Sequence, residues 1–161
     1  MSVTISGNSN LVLQVVSSPK TDSFTTTSGS YVDVTGLSVS ITPTSSSSKI
    51  LVMFSVSAGI PGDIMHGYLT LVRGSTEIFK ADTAGSRRSA TAVVNTATQC
   101  QFTYAGMYLD SPATTSATTY KIQALSSNGN TLCINRSARD TNLLDYDGRS
   151  VSSITVMEIA A

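Results

Sequence analysis

The sequence predicts an all-β protein built as an antiparallel β-sandwich. Apolar and polar residues alternate over short segments, helical periodicity is almost absent, and turn signals separate the segments at the spacing typical of sandwiches and barrels. The 161 residues are enough for one domain with its own hydrophobic core. We expect about eight to ten strands joined by polar loops.

The first segment that alternates is near the N-terminus. MSVTISGNSN lacks the basic and apolar regions of a secretion signal, and Leu11, Leu13 and Val15 follow it at alternate positions. We interpret residues 1–16 as an N-terminal arm or first strand that can add to the edge of a neighbouring sheet, and residues 17–161 as the sandwich domain. Leu11, Leu13 and Val15 are our candidates for a docking arm.

The next two strands differ in their patterns. Leu37, Val39 and Ile41 alternate with small polar residues, as a strand with one buried face requires. KILVMFSVSA, at 49–58, is apolar on both faces, so both faces need a cover, either a second sheet or another subunit.

The middle of the chain contains a hairpin and a long loop. Arg73-Gly74-Ser75 is predicted to be the turn between strands at 68–72 and 77–80, and the small residues of 81–99 indicate mainly loop. A strand with a bulge or close approach at Gly106 follows.

Four further segments complete the pattern. DSPATTSATTYKIQA, at 110–124, begins as a turn and continues as an alternating strand. Asn128-Gly129 marks a turn before the short strand TLCIN, and the loop RSARDTNLLDYDG leads to the last strand, SSITVMEI.

The last strand is apolar on both faces. Ile154 and Val156 share one face with Glu158, and Met157 and Ile159 share the other. A strand of this kind belongs at the centre of a sandwich or on an oligomer axis, and we favour the axis. The candidate subunit-interface residues are Ile154, Val156, Met157 and Ile159.

Residues able to carry out chemistry are sparse. His66 is the one histidine and no G-x-S-x-G nucleophile motif occurs, so a Ser-His-Asp site is not indicated. Asp140, Asp145 and Asp147 are interpreted as turn residues rather than as metal ligands or a glycosidase pair. Cys100 and Cys133 have no metal-site spacing; two reduced thiols are favoured over one disulfide. We expect no enzymatic activity, cofactor or metal.

Composition also limits the partners. Charged residues are 12 % of the chain with a net charge of zero, whereas Ser and Thr occupy 49 of the 161 positions. Such a surface attracts neither nucleic-acid phosphates nor anionic lipids, and no apolar run is long enough to span a membrane. Arg136, Arg139 and Tyr146 are the candidates for surface recognition, since Tyr rings can stack on sugars.

Several segments, in colinear order, carry a resemblance to a known family. LQVVSSPKTDSFTTTSGSYVDVTGLSVSITPTSSSSKILVMFSVS, GYLTLVRGSTEIFKAD, YLDSPATTSATTYKIQA and SSITVMEI resemble a jelly-roll module of tailed-bacteriophage structural proteins, often from phages of aquatic and cyanobacterial hosts. The likeness covers most of the chain and is weakest between Ala84 and Gln99. It implies a homotrimeric jelly roll, similar to complement-type and tumour-necrosis-factor-like heads, with the last strand near the threefold axis.

The resemblance implies a virion protein made in the host cytoplasm. We expect a capsid decoration, or cement, protein on the outer capsid surface, which binds the major capsid protein and stabilises the shell. The alternative is a tail-fibre or head-fibre tip that binds a host surface glycan. Fibre proteins usually carry a shaft before the tip, and only about ten residues precede the resemblance here, so the decoration role is favoured.

Overall fold

The computed structural model describes residues 11–61, 66–95, 100–142, 144 and 147–161, and this part of the chain forms β-strands without a helix. The strands make two antiparallel sheets, which confirms the predicted all-β architecture. The six-stranded sheet contains β1 (Val12–Lys20), β2 (Phe24–Thr26), β4 (Lys49–Gly59), β8 (Phe102–Asp110), β10 (Leu132–Ile134) and β11 (Ser152–Ile159). The five-stranded sheet contains β3 (Val32–Ile41), β5 (Gly67–Arg73), β6 (Thr76–Ile78), β7 (Ala92–Val94) and β9 (Thr118–Ser126).

Strands distant in sequence are neighbours in both sheets. The six-stranded sheet has the order β1-β11-β4-β10-β2, with β8 paired to β4, and the five-stranded sheet has the order β3-β9-β5-β6, with β7 paired to β5. The chain crosses from one sheet to the other between β2 and β3, β3 and β4, β4 and β5, β7 and β8, β8 and β9, and β9 and β10. Six of the ten connections between the described strands therefore join the two sheets.

The core lies between the sheets and is built from alternate residues of each strand. On β4, Ile50, Val52, Phe54 and Val56 point inward and are almost fully buried. They meet inward residues of β3, β5 and β9, among them Leu37, Leu71 and Ile122. Burying one such side chain contributes about 1.5–3 kcal/mol, so the alternation fixes the register of each strand.

Two glycines have the roles that the sequence predicted. Gly74 has a φ of +59° in the two-residue turn between β5 and β6, which confirms the hairpin. A Cβ at Gly106 would lie 2.5 Å from the Phe54 ring, so the sheet interior needs glycine there. The long loop was predicted too broadly, because β7, at 92–94, adds to the edge of β5.

A buried carboxylate joins the sheets at one end. Asp110, the last residue of β8, accepts hydrogen bonds from Arg73 of β5 at 2.9 Å and from the Tyr120 hydroxyl of β9 at 2.7 Å. Burial raises the pKa of Tyr120, and its bond to Asp110 raises it further. The Tyr120 hydroxyl therefore stays protonated and keeps donating to Asp110.

A second carboxylate holds the C-terminal part of β11. Glu158 is fully buried and accepts hydrogen bonds from Gln14 Nε2 at 2.6 Å and from the Thr44 backbone and hydroxyl at 2.7 and 2.8 Å. Burial alone would raise the pKa of Glu158, but the bonds from Gln14 and Thr44 outweigh it and lower the pKa to about 2. Glu158 thereby fastens β11 to β1 and to the β3–β4 loop.

Candidate functional site

The outer face of the six-stranded sheet, meaning the side of β1, β11, β4 and β8 turned away from the core, carries a cluster of apolar side chains. One row of register partners crosses all four strands: Val15 faces Met157, Met157 faces Leu51, and Leu51 faces Leu109. Val15 and Leu109, at the two ends of the row, are exposed, whereas Leu51 and Met157 between them are half-buried. An apolar row of this kind on the solvent side of a sheet is a candidate interaction surface.

The next row extends the apolar surface toward β8. Met53 of β4 faces Met107 of β8, and a shallow concavity of about 420 Å³ is lined by these two residues with Ala105 and Gly106. Val15, Met107 and Leu109 are exposed over 53 %, 61 % and 54 % of their surfaces. Nothing in the described chain covers them, so they are available to a second molecule.

Polar residues surround this apolar centre. Ser17 and Thr155 are register partners whose hydroxyls share a hydrogen bond of 2.8 Å, and Pro19, Ser153 and Ser55 form the row beyond them. Lys49 lies at the opposite border, where its ammonium donates to the Ser111 hydroxyl at 2.8 Å. An apolar centre without charge inside a polar rim is the usual composition of a subunit interface.

The four predicted interface residues separate onto two faces. Met157 and Ile159 lie on the outer face, but Ile154 and Val156 are 0 % exposed and belong to the core between the sheets. The predicted assignment of Ile154 and Val156 to an interface is therefore corrected. The alternation in the sequence was interpreted rightly, but periodicity alone does not say which face the second sheet covers.

The docking-arm candidates lie on or beside the same surface. Leu11, Leu13 and Val15 are each exposed by at least 40 %, and Val15 is part of the apolar row. Strand β1 runs through position 16 and pairs with β11 from Val12 to Lys20, so the described part of the arm is an integral strand of the sandwich. Residues 1–10 lie outside the described residues.

Sequence analysis missed the part of this surface that β8 contributes. Leu51 and Met53 were recognised as a second apolar face of β4, whereas Met107 and Leu109 on β8 were not singled out. The segment QFTYAGMYLD does contain the necessary pattern. Met107 and Leu109 alternate with Tyr104 and Tyr108 and therefore lie on the other face of the strand, as in a strand with two apolar faces.

The surface-recognition candidates lie at the other end of β4, in the loop after β10. Arg139 bonds Asp147 at 3.0 Å, while Arg136 and Arg149 bond Asp140 at 3.1 and 2.7 Å. Hydrogen bonds from Arg139, then from Ser137 and Thr141, lower the pKa of Asp147. These arginines therefore hold a loop together with their partners; Tyr146 and Asp145 lie outside the described residues.

The described residues offer little basis for other classes of site. Cys133 is buried and Cys100 exposed, and no disulfide bridges the two. Within the described ranges, no three His, Cys, Asp or Glu side chains come together as metal ligands. In the same part of the chain, no helix is long and apolar enough to cross a membrane.

Comparison with protein-family models gives no matching family, and comparison with curated proteins gives no matching relative.

Proposed function

We propose that this chain is a structural protein of a phage particle, a homotrimeric jelly roll that sits on the outer capsid surface, binds the major capsid protein and stabilises the shell. The observation that carries the proposal is the exposed apolar centre of the six-stranded sheet, the row from Val15 to Leu109. A surface of this kind fits a protein whose function is assembly.

The strand order supports a jelly roll. One layer contains, side by side, the long strands β1, β11, β4 and β8. The other layer contains β3, β9 and β5, with β6 and β7 both beside β5. Each sheet therefore interleaves strands from the beginning and the end of the chain, which is the pattern of two nested Greek keys. The described strands number more than eight because β2, β7 and β10 are short neighbours of longer strands.

The outer face supports a second copy of the chain as the partner. Its centre has Met53, Met107 and Met157, whose flexible side chains adapt to a facing surface, and it has no charged residue. Three copies related by a threefold axis would each bury this face against a neighbour and would close without leaving it exposed. Met157 and Ile159 then lie in the interface, as the resemblance implies for the last strand.

The end of the sandwich that carries both described termini supports a role in docking. The backbone amide of Ala160 donates to the carbonyl of Leu11 at 2.8 Å, so the two termini leave the domain side by side. Leu11 and Leu13 remain exposed there. An arm that starts at this point can reach a neighbouring capsid subunit, with the opposite loops directed away from the shell.

A fibre tip that binds a host glycan is the second candidate. The observation in its favour is the arginine-rich loop of Arg136, Arg139 and Arg149, which lies at the end opposite the termini. A receptor-binding protein would present that end to the cell.

Copy number in purified particles separates the two roles. Quantitative mass spectrometry should give a ratio to the major capsid protein that approaches one to one, as decoration of the whole shell requires. A handful of copies per particle would favour the fibre tip, and absence from purified particles would contradict both. Light scattering after size exclusion tests the trimer separately, and a monomer at micromolar concentration would contradict it.

A further inference from the structure

A polar groove lies at the end of the sandwich that carries the termini. It has a volume of about 310 Å³, and its lining includes Arg73, Pro112, Thr114, Ala117, Thr118 and Thr119. Lys49, the register partner of Ile159 near the C-terminus, donates to Ser111 beside the groove. The groove thus opens close to the point where the docking arm leaves the domain.

Arg73 is the single charged residue of the lining and is held in a fixed position. Its Nη1 donates to both oxygens of Asp110 at 2.9 Å, and the Asp110 carboxylate is only 5 % exposed. The Arg73 side chain is 30 % exposed, and its Nε and Nη2 donate no hydrogen bond to any described residue. Arg73 therefore lines the groove and retains donors that no described residue uses, which an incoming carboxylate can accept.

The threonine hydroxyls add both a free hydrogen-bond donor and a free acceptor. The Thr118 hydroxyl donates to the Ser116 carbonyl at 3.1 Å and retains its acceptor lone pairs. The Thr114 hydroxyl accepts from the Ser116 amide at 3.0 Å and retains its proton. Donors and acceptors at this spacing can bond the N–H and C=O groups of a peptide backbone.

The composition of the walls favours a peptide over a sugar. Threonine, proline, alanine and glycine line the groove, and none of the lining residues is aromatic. A pyranose ring therefore finds no ring on which to stack. A short extended peptide needs no such surface, because its backbone can bond to the threonines while one side chain reaches Arg73.

We propose that this groove binds an acidic peptide segment, with one Asp or Glu carboxylate on the free donors of Arg73. The inference rests on the proposed function in one respect, namely that the peptide belongs to the shell protein beneath the docking end. The groove then fixes the orientation of each subunit on the shell, while the outer face fixes the subunits to one another.

The test uses the full chain and two capped peptides, Gly-Ser-Glu-Ser-Gly and its Gln counterpart, in a titration followed by amide NMR shifts. We expect saturable shifts at Gly74, Thr114 and Thr118 with the Glu peptide, and at least about tenfold weaker binding of the Gln peptide, since a hydrogen bond to a charged group is lost. Arg73→Lys keeps a cation beside Asp110 but loses the planar set of donors, so it should weaken Glu-peptide binding by a similar factor.

Arg149→Lys is the matched control, because Arg149 is an exposed arginine paired with Asp140 at the opposite end. Its binding should equal that of the wild-type chain. Equal binding of the Glu and Gln peptides, no saturable shift at millimolar peptide, or a loss in Arg149→Lys would overturn the inference. Tighter binding of an oligogalacturonate than of the Glu peptide would overturn the ligand class. Trimer formation and copy number in particles are unaffected by these outcomes, so the two proposals can fail separately.

Discussion

The outer faces of the two sheets differ, although the same alternating pattern generates both. On the six-stranded sheet, the outward residues of neighbouring strands are apolar and uncovered, as in the pair Leu51 and Leu109. On the five-stranded sheet, the outward residues are mostly polar: Asp33 bonds Lys121 at 2.8 Å and Gln123 at 2.7 Å. Exposed apolar side chains therefore distinguish the outer face of the six-stranded sheet, and polar side chains predominate where the outer face of the five-stranded sheet meets solvent.

The five-stranded sheet also carries its own cover. Arg88 lies 5.5 Å from the ring centroid of Tyr68, and the Tyr31 hydroxyl donates to the Ser89 carbonyl at 3.5 Å, so the loop at Arg88 and Ser89 lies against this face. Thr70 and Val72 share the outward direction of Tyr68 and are nevertheless buried. The chain covers part of one sheet by itself, whereas no described residue covers the exposed side chains of Val15, Met107 and Leu109 on the other.

The strongest test of this comparison uses two neighbouring residues of β11. Val156→Asp places a carboxylate in the core beside Val52 and Val16. We expect the free energy of unfolding to fall by more than about 4 kcal/mol, so that no folded protein remains. Met157→Asp places the same charge on the outer face, and we expect a folded monomer in place of the proposed trimer. Circular dichroism on heating measures the first effect, and size exclusion with light scattering measures the second.

Ser38→Asp is the control on the opposite face. Ser38 is exposed on the outer side of β3 and faces Lys121, so the new carboxylate has a nearby cation and should leave folding and assembly unchanged. A Met157→Asp protein that remains trimeric would place the interface elsewhere, and a folded Val156→Asp protein would contradict the assignment of the inner face.

A smaller effect is expected for the carboxylate that fastens β11. Glu158→Gln places an amide N–H₂ group among the donors from Gln14 and Thr44, and at least one bond is lost. We expect a loss of about 1–3 kcal/mol in the free energy of unfolding at pH 7, measured by urea denaturation.

The same variant has a predicted pH dependence. The pKa of Glu158 is lowered from 4.5 to about 2, so its stabilising contribution is fully present above pH 4.5 and is lost as the pH falls through 2. The difference in unfolding free energy between the wild-type chain and Glu158→Gln should therefore shrink between these two values. A difference that stays constant down to pH 2 would show that the Glu158 bonds do not depend on its charge.

The smallest effect is expected on the polar outer face. Hydrogen bonds from Lys121, then from Gln123, lower the pKa of Asp33, but the Asp33 side chain is 55 % exposed to water. Asp33→Asn should lower the free energy of unfolding by about 0.2–1 kcal/mol, as is usual for an exposed ion pair, and should leave the proposed trimer intact. Urea denaturation with light scattering measures both; a loss larger than that of Glu158→Gln would contradict the view that this face contributes little.

The sequence by itself determined the strands and their two faces. Alternation in Leu37, Val39 and Ile41 and the turn at Gly74 correspond to β3 and to the β5–β6 hairpin, because a strand repeats every two residues and a tight turn needs a positive φ. The alternation also predicts that Val156 and Met157 lie on opposite faces of the last strand. These features are local, and local rules suffice for them.

Only the tertiary structure decided which face of each strand is covered and which residues distant in sequence come into contact. The second sheet covers Ile154 and Val156 rather than Met157, and Arg73 meets Asp110 across 37 positions of the chain. The outer row likewise joins four strands that are far apart in sequence, from Val15 to Met157. Such pairings depend on strand order and sheet packing, which the periodic pattern of β11 leaves open because each of its two faces has two large apolar residues in the sequence.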